Sequence, residues 1–403
     1  MALMPVEEAL ASVLDGAEPL PAETVAVAEA HGRVLAADLT ARRTQPAVDL
    51  SAMDGYAVRA ADVAAAPARL RLVGEVTAGR TFDGRVGAGE AVRIFTGGVV
   101  PDGADTIVIQ EATRPDGAAV VVERASAAGR HIRRAGLDFN AGELLLRRGR
   151  SLTVRDLALA AAMNHATVPV HRRPRVAVIS TGDELVPIGV EPAHGQIISS
   201  NGLALAALVR AEGAEALDVG IVPDRTDEIV AAIRRARAWN ADVLVTSGGA
   251  SVGDYDLVQA ALTAEGMELA FWKVAVRPGK PLMHGRLGRA RVLGLPGNPV
   301  SAHVCAVLFL IPLLRRLAGR ADIAPLRGSA RLGRGLPAND EREDYLRATL
   351  SVGADGALVA EPLGVQDSSM MSGLARADCL IVRRPFAPAA STGESCAILR
   401  LGF

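Results

Sequence analysis

The stretch Arg175-Val-Ala-Val-Ile-Ser-Thr-Gly-Asp-Glu184 decides the fold of this chain. Its first half is an almost continuous apolar run, which predicts a strand buried on both faces of a sheet. Its second half is a polar turn, and ligands of open α/β sheets bind at turns that follow strands in this way. The surrounding sequence should therefore supply further buried strands and the helices that cover them.

Strand and helix patterns alternate after this stretch. The predicted strands are Arg175–Ser180, Ala216–Val222, Asp242–Thr246 and Arg291–Leu295. The predicted helices are Gly202–Glu212, Thr226–Trp239, Tyr255–Glu265 and Val300–Ala318. This alternation predicts a doubly wound, largely parallel α/β domain over residues 172–320.

The pattern changes on both sides of this α/β domain. Residues 46–140 and residues 325–403 contain short Val- and Ile-rich runs between Gly, Pro and Asp turns, which is typical of small β domains. Residues 1–45 and 141–171 contain a few helical and extended stretches and are predicted to form one N-terminal region. The expected architecture is an α/β plus β chain of four domains.

Composition excludes several functional classes. The net charge of −1 over 403 residues predicts neither nucleic acid nor an anionic membrane as a partner. The longest uncharged apolar run, Val304–Leu314, is too short to cross a bilayer, and Met1–Asp15 resembles an amphipathic helix rather than a secretory signal. Three cysteines without metal-binding spacing fit a reducing compartment. We therefore expect a cytoplasmic protein.

Three polar, glycine-rich loops follow predicted strands of the α/β domain: 180–184, 246–256 and 294–299. Small residues let backbone N–H groups approach an anion, and each loop leads towards a helix N-terminus, which favours negative charge. A phosphate-binding site is therefore predicted at this edge of the sheet. Its candidate binding residues are Ser180, Thr181, Gly182, Ser247, Gly248, Gly249, Ser251, Gly253, Pro296, Gly297, Asn298 and Pro299.

Lysine is almost absent from this chain: of 44 Lys and Arg residues, only Lys273 and Lys280 are lysines. Both lie in the lysine segment, Phe271–Pro281, whose pattern predicts an alternating strand followed by a Pro-Gly turn. That strand would place Lys273 and Arg277 on one face, with Lys280 beside them. Three converging cations predict a site for an oxyanion.

Carboxylates lie in or beside the three glycine-rich loops, which we also call the phosphate-type loops. Asp183 and Glu184 end the first loop, Asp224 follows a predicted strand, and Asp256 ends the second loop. Mg²⁺ binds one or two carboxylates together with phosphate oxygens. Glu184 and Asp256 are therefore the predicted metal ligands, the alternative being that such residues cap helices or lie in solvent.

Several motifs in a fixed order resemble the molybdopterin molybdenumtransferase family, which includes bacterial MoeA and the E domain of gephyrin. They are Ser51-Ala-Met-Asp-Gly-Tyr-Ala57, Ser180-Thr-Gly-Asp-Glu-Leu185, Ser247-Gly-Gly-Ala-Ser-Val-Gly253, Pro278-Gly-Lys-Pro281 and Leu295-Pro-Gly-Asn-Pro-Val-Ser301. The resemblance covers nearly the whole chain. It implies a molybdopterin-binding type of α/β domain in an elongated four-domain homodimer.

The resemblance also implies a reaction. Enzymes of that family bind adenylylated molybdopterin and molybdate, insert the metal into the dithiolene, and hydrolyse the adenylate to release AMP with a divalent ion such as Mg²⁺. Transient partners would be a molybdopterin adenylyltransferase and apo-molybdoenzymes. The family cleft lies between the α/β domain of one subunit and the N-terminal β region of the other.

The resemblance also implies roles for individual residues, each assigned through the motif that contains it. The implied functional positions are Asp54, Asp138, Glu184, Asp224, Asp256, Lys273 and Lys280. Molybdate contacts are implied for Ser301, Arg342 and Arg347, and Pro281 is implied as a substrate-binding residue. Asp54 would complete the site of the partner subunit. Bacterial relatives tend to have Lys at Arg277, and Arg keeps the charge but is bulkier and cannot lose its proton.

Three alternatives stay open on the sequence. The α/β domain also resembles single-domain molybdopterin adenylyltransferases, which use ATP in the preceding step. A non-catalytic scaffold is the second alternative, because gephyrin also anchors receptors. The third is a related transferase for tungstate, an oxyanion that differs little from molybdate in size and charge.

Overall fold

The computed structural model describes residues 3–248 and 257–402, and a six-stranded sheet forms the centre of its α/β domain. The strands lie in the order Glu215–Val222, Arg175–Thr181, Val243–Ser247, Ala290–Leu295, Met283–Leu287 and Met267–Trp272. Met283–Leu287 runs antiparallel to both of its neighbours, and the other strands share one direction. The predicted largely parallel sheet is confirmed.

Helices cover both faces of this sheet, which confirms the doubly wound arrangement. Successive side chains of a strand point to opposite faces. Val176 and Val178 accordingly pack in one core, and Ala177 and Ile179 pack in the other. The first face is covered by helices Val6–Leu14, Asn201–Ala211 and Pro299–Leu317. The second face is covered by helices Thr226–Ala238 and Leu257–Ala264.

The helix Pro299–Leu317 is the central helix of the first core. By length and composition it could cross a membrane, but 83% of its most apolar window is buried inside the protein, as expected of a core helix. It consists of an α-helical part, Pro299–Cys305, a π-helical turn, Ala306–Leu310, and a second α-helical part, Ile311–Leu317. Pro312 has no N–H to donate, so the regular hydrogen-bond ladder is interrupted here.

A second six-stranded sheet forms the first β domain. Its strands lie in the order Thr106–Ile109, Gly55–Val58, Glu90–Ile94, Ala68–Val76, Ala119–Val122 and Thr113–Asp116. Short 3₁₀ turns lie at Ala60–Val63 and Gln110–Ala112. The alternating runs and Gly turns of the sequence therefore predicted this β domain correctly, while the domain limits stay a prediction.

The N-terminal region joins the chain on both sides of this β domain. Its short strand pairs are Ala22–Ala26 with Thr167–His171 and Leu39–Thr40 with Leu144–Leu146, and the pair Leu50–Ser51 with Ile132–Arg133 follows within the β domain. A 3₁₀ turn lies at Val27–Glu29. The helix Val154–Ala162 begins with a capping box between Thr153 and Asp156. Thr and Asp at these spacings satisfy backbone N–H groups that a helix start leaves unpaired.

The C-terminal β domain is built around a third six-stranded sheet. Its strands within residues 325–402 are Arg327–Leu332, Glu343–Val352, Leu358–Pro362, Cys379–Arg383 and Ser395–Arg400, and its helix is Met371–Arg376. The remaining strand, Val276–Arg277, comes from the lysine segment and pairs in parallel with Glu343–Val352. The α/β and C-terminal domains are therefore joined by backbone pairing.

The prediction of one alternating strand through the lysine segment is wrong. The strand of the central sheet ends at Trp272, and Lys273 has a φ of +87°. Beyond it, the backbone N–H of Ala275 donates to Met4 (2.8 Å), and the N–H of Glu343 donates to Ala275 (2.9 Å). The backbone thus leaves the central sheet at Lys273, so Lys273 and Arg277 do not share a strand face.

Candidate active site

A cavity of about 650 Å³ lies at the edge of the central sheet where the parallel strands end. The predicted binding residues among its lining are Ser180, Thr181, Glu184, Ser247, Gly248, Pro281, Pro296, Gly297, Asn298, Pro299 and Ser301. Because parallel strands end at one edge, the loops that follow them converge there. We call this cavity the cleft.

One part of the predicted site belongs to the second glycine-rich loop, 246–256. Residues 249–256 lie outside the described residues, and with them lie the predicted positions Gly249, Ser251, Gly253 and Asp256. The loop enters this stretch from Gly248, which lines the cleft.

Gly248 brings two of the loops into direct contact. Its φ is +99°, and a Cβ there would clash with the Thr181 carbonyl oxygen and lie 3.0 Å from the Thr181 hydroxyl. A Cβ on Gly297 would lie 3.7 Å from the Gly248 Cα. The third loop therefore also lies close to Gly248, at an ordinary van der Waals distance. Gly182 has a related constraint, because a side chain there would clash with the Glu184 carboxylate.

Asn201 is a functional candidate that the sequence reasoning missed. Its side-chain amide donates to the Ser247 hydroxyl (2.9 Å) and to the Gly297 carbonyl (2.7 Å). It thereby joins the second and third loops from the first turn of helix Asn201–Ala211. A polar residue opening a helix at the ligand-binding edge was the signal that could have identified it.

The cleft offers hydrogen-bond donors to an anion. Thr181 is 2% exposed, and its hydroxyl has no hydrogen-bond partner among the described residues. The helix Asn201–Ala211 begins at the cleft, and no described side chain caps it, so its first N–H groups can bind a negative charge. A phosphate group would suit both features.

Carboxylates cluster at one side of the cleft. Glu184 lines it, and the Asp224 N–H donates to the Asp183 carboxylate (3.0 Å). Partial burial raises the pKa of Asp224, and repulsion from Asp183 and Glu184 adds to this effect. Across the ranges 3–248 and 257–402, no group of three or more His, Cys, Asp and Glu side chains is arranged to hold a metal ion.

The turn that carries Lys280 lies beside the cleft. Pro281 lines the cleft, and a Cβ on Gly279 would lie 3.6 Å from the Ser301 carbonyl and would clash with the Cys305 sulfur. The turn therefore packs against the start of the long helix. Lys280 itself is exposed and forms no ion pair with a described residue.

The other two cations of the lysine segment have partners. The Lys273 ammonium lies 4.8 Å from the centre of the Trp272 ring, a cation–π distance. The Arg277 guanidinium donates to Asp340 (2.7 Å), Asn339 (3.0 Å) and Asp344. Neither residue lines the cleft in the described part of the chain.

The C-terminal β domain supplies a wall of the cleft through residues other than the predicted Arg342 and Arg347. Ser369 and Met371 line it. Ser368 accepts a hydrogen bond from the Asn298 amide (2.8 Å) through its hydroxyl and one from the Val300 N–H (3.0 Å) through its carbonyl. The sequence contained no signal for these contacts, because they join loops that are far apart along the chain.

The predicted molybdate contacts of this domain lie elsewhere. Arg347 is 1% exposed and donates to Gln366, Val365 and Met370, so it holds the loop behind the cleft wall. Arg342 donates to Asp340 (3.2 Å). Neither lines the cleft within the described residues.

Asp54 and Asp138 lie in loops of the first β domain. The Asp54 carboxylate accepts from the N–H (2.7 Å) and the hydroxyl (2.8 Å) of Thr96. These bonds, with the nearby Arg93 charge, lower the pKa of Asp54. Asp138 is exposed, and its N–H donates to Gln45 (3.0 Å). Neither belongs to the described lining of the cleft in its own chain.

This fold and cleft define a multidomain protein with a ligand cleft at the strand ends of a doubly wound α/β domain. Family profiles agree: "MoeA N-terminal region (domain I and II)" matches residues 4–164, "Probable molybdopterin binding domain" matches residues 177–316, and "MoeA C-terminal region (domain IV)" matches residues 329–401.

Known proteins are similar over nearly the full length. A molybdopterin molybdenumtransferase of Haemophilus influenzae is 35% identical over 94% of both chains. One of a Nostoc species is 38% identical over 94% of this chain and 88% of its own. A crystal structure of the MoeA protein from Pyrococcus horikosii covers 100% of both chains at 31% identity, with a TM-score of 0.85. The chain belongs to the molybdopterin molybdenumtransferase family, as the motifs predicted, and is a transferase.

Proposed function

We propose that this enzyme inserts molybdenum from molybdate into adenylylated molybdopterin and hydrolyses the adenylate, releasing AMP and molybdenum cofactor. The observation that carries the proposal is one cleft in which phosphate-type loops meet the turn bearing Lys280. Both reactants are anionic. An enzyme that joins them needs a phosphate site and a cationic oxyanion site next to each other.

The phosphates of the adenylylated pterin would lie along the strand-end loops. The backbone N–H groups of the first turn of helix Asn201–Ala211 are the donors that we assign to them. The buried Thr181 hydroxyl, which lacks a partner among the described residues, would donate as well. A partner for this hydroxyl removes the cost of leaving it buried and unpaired.

Molybdate would bind at the start of the long helix. Lys280 is the cation that we assign to it, with Ser301 and Pro281 completing the pocket and Lys273 adding positive charge. A compact ammonium without a competing ion pair among the described residues can approach an oxyanion directly. The protein's contribution is then positioning and charge stabilisation rather than nucleophilic attack.

The residues present fit a magnesium ion. Glu184 lines the cleft near Asp183 and Asp224, and Mg²⁺ binds one or two carboxylates with phosphate oxygens and water. Glu184 would hold it together with Asp256. When bound, the ion would neutralise charge on the leaving phosphate.

A second copy of the chain would complete the site. We assign Asp54 and Asp138 to the cleft of a partner subunit in a homodimer, since neither is part of the described lining of its own cleft. The cellular location would be the cytoplasm. A molybdopterin adenylyltransferase would deliver the substrate, and apo-molybdoenzymes would receive the product.

The test is AMP release from adenylylated molybdopterin by the purified protein with Mg²⁺, with and without molybdate. We expect molybdate-dependent AMP release and a product that reconstitutes an apo-molybdoenzyme. Formation of adenylylated pterin from ATP and free molybdopterin would favour the adenylyltransferase alternative instead. A folded dimer with neither activity would favour a scaffold, and tungstate competition would measure oxyanion preference.

A further inference from the structure

Arg277 lies where two domains share backbone pairing. The lysine segment leaves the central sheet at Trp272 and enters the C-terminal sheet at Val276–Arg277. The turn that carries Lys280 follows immediately and packs on Ser301 at the cleft. The position of this turn therefore depends on both domains.

All partners of the Arg277 guanidinium among the described residues belong to the C-terminal domain. One terminal nitrogen donates to Asp340 (2.7 Å), and the other donates to Asn339 (3.0 Å) and to Asp344. Asp344 is 5% exposed, and its second carboxylate oxygen has no hydrogen-bond partner among the described residues. Arg277 is therefore the main compensation for a buried negative charge.

We propose that Arg277 is a positioning residue that ties the Lys280 turn to the C-terminal domain and does not itself bind the oxyanion. The inference rests on the proposed function of the cleft. Three of the five guanidinium N–H groups are already bound, and two carboxylates already balance the charge of this side chain, so little of its charge is available for molybdate. Lys280, three positions further on, forms no ion pair among the described residues.

The chemistry of arginine suits this role. A planar guanidinium presents several N–H donors in a fixed fork, and here the fork reaches three side chains at once. A lysine ammonium at this position is a compact point charge whose three donors share one atom at the end of a flexible stem. It would hold one carboxylate but would not fix the orientation of the turn.

A double-mutant cycle distinguishes a tether, an Arg277 that only holds the Lys280 turn against the C-terminal domain, from an Arg277 that binds molybdate directly. The variants are Arg277→Gln, Asp344→Asn and the double variant, and the readout is molybdate binding by calorimetry without pterin. We expect each single change to weaken binding about tenfold, the scale of one charged hydrogen bond, and the double change to add little. If Arg277 bound molybdate directly, Asp344→Asn would free its guanidinium for the oxyanion. Molybdate binding would then be unchanged or tighter in Asp344→Asn.

Two further variants secure the result. Asp340→Asn removes a partner that is half-exposed, so it tests the tether if Asp344→Asn does not fold. Arg331→Gln breaks an exposed pair with Asp355 in the same domain and should leave molybdate binding unchanged. Equal weakening by Arg331→Gln would overturn the proposal, because the effect would then be a general loss of charge.

Hydrogen–deuterium exchange gives a readout that does not depend on the reaction. In Arg277→Gln, amides of residues 274–283 should exchange faster, while those of residues 327–332 should not change. Unchanged exchange across the turn would overturn the tether. If the wild-type protein releases no AMP and binds no molybdate, the proposed function fails, whereas the exchange result still reports whether Arg277 holds the turn.

Discussion

Two parts of the predicted site differ in how far their own chain packs around them. They are the glycine-rich loops of the cleft and the loop of the first β domain that carries Asp54. The loops of the cleft contact one another, through Gly248 against Thr181 and through Asn201 between Ser247 and Gly297. Asp54 is held by Thr96 of its own domain, and its neighbour Met53 is 40% exposed.

The difference shows which part of the site one chain builds alone. Val48, Met53 and Leu137 are large apolar side chains exposed on the loops around Asp54 and Asp138. Exposed apolar groups around a fixed carboxylate are typical of a surface that meets another surface. The cleft, by contrast, already has a wall from each of two domains.

The largest expected effect comes from the cleft. Lys280→Ala should reduce molybdate-dependent AMP release by about 100-fold or more, because a charge that stabilises the reacting oxyanion is lost. Its exposure predicts an unchanged melting temperature. Lys280→Arg is the control, and it should recover part of the rate. A large fall in melting temperature for Lys280→Ala would instead identify a structural lysine.

The next largest expected effect concerns Asp54 in the loop of the first β domain. Asp54→Ala should also be inactive, but a mixture of Asp54→Ala and Lys280→Ala chains should regain about a quarter of the wild-type rate. Random reassociation makes half of the dimers mixed, and each mixed dimer has one intact cleft. Activity is measured after the two variants are dissociated and reassociated together. Absence of any recovery would place Asp54 in the function of its own chain.

The sequence predicted the cleft better than it predicted the lysine segment. Buried strands such as Arg175–Thr181 imply a parallel sheet, and a parallel sheet brings the following loops to one edge. The apolar alternation of Val274 and Val276 looks like a continuing strand, but pairing with Met4 and Glu343 takes the backbone elsewhere. Such long-range pairing has no local signal.

The same limit applies to individual side chains. Asn201 and Arg277 act through partners that are 46 to 96 residues away along the chain. Their types are compatible with many roles, and only the folded geometry selects one. Asp54 was identified by family resemblance alone, because an Asp-Gly dipeptide is most simply a turn.

A smaller effect tests the contact between the loops. Gly248 and Gly220 both have a φ of +99°, but only Gly248 would place a Cβ against another loop, since nothing lies within 4 Å of a Cβ on Gly220. Both Gly→Ala variants should lose about 1–3 kcal/mol of stability from backbone strain. Gly248→Ala should in addition raise the KM for the pterin substrate about tenfold, because the loops separate.

Equal KM values for the two alanine variants would show that the close approach at Gly248 is not needed for binding. Chemical denaturation measures the shared strain, and steady-state kinetics measures the difference. Gly220 thus serves as the matched control for backbone conformation.

The smallest effect is a pair of pH dependences with opposite signs. Burial and the Asp183 and Glu184 charges raise the pKa of Asp224 in the folded protein. Its ionisation therefore destabilises the fold as pH rises from the ordinary value of 3.8 through the raised pKa. The cost is less than about 1 kcal/mol, because Asp224 is only partly buried and solvent screens its charge. Asp224→Asn should stabilise the protein at pH 7 and have no such effect below that window.

Asp54 should behave in the reverse way. The Thr96 hydrogen bonds lower its pKa, so its carboxylate stabilises the fold above the ordinary value of 3.8 and loses that contribution as pH falls through the lowered pKa. Asp54→Asn should therefore lower the melting temperature at pH 7 and have little effect in acid. Melting temperatures of both variants between pH 3 and pH 7 check the signs. If both variants shifted stability in the same direction, the two carboxylates would not be held in the contrasting environments on which the comparison depends.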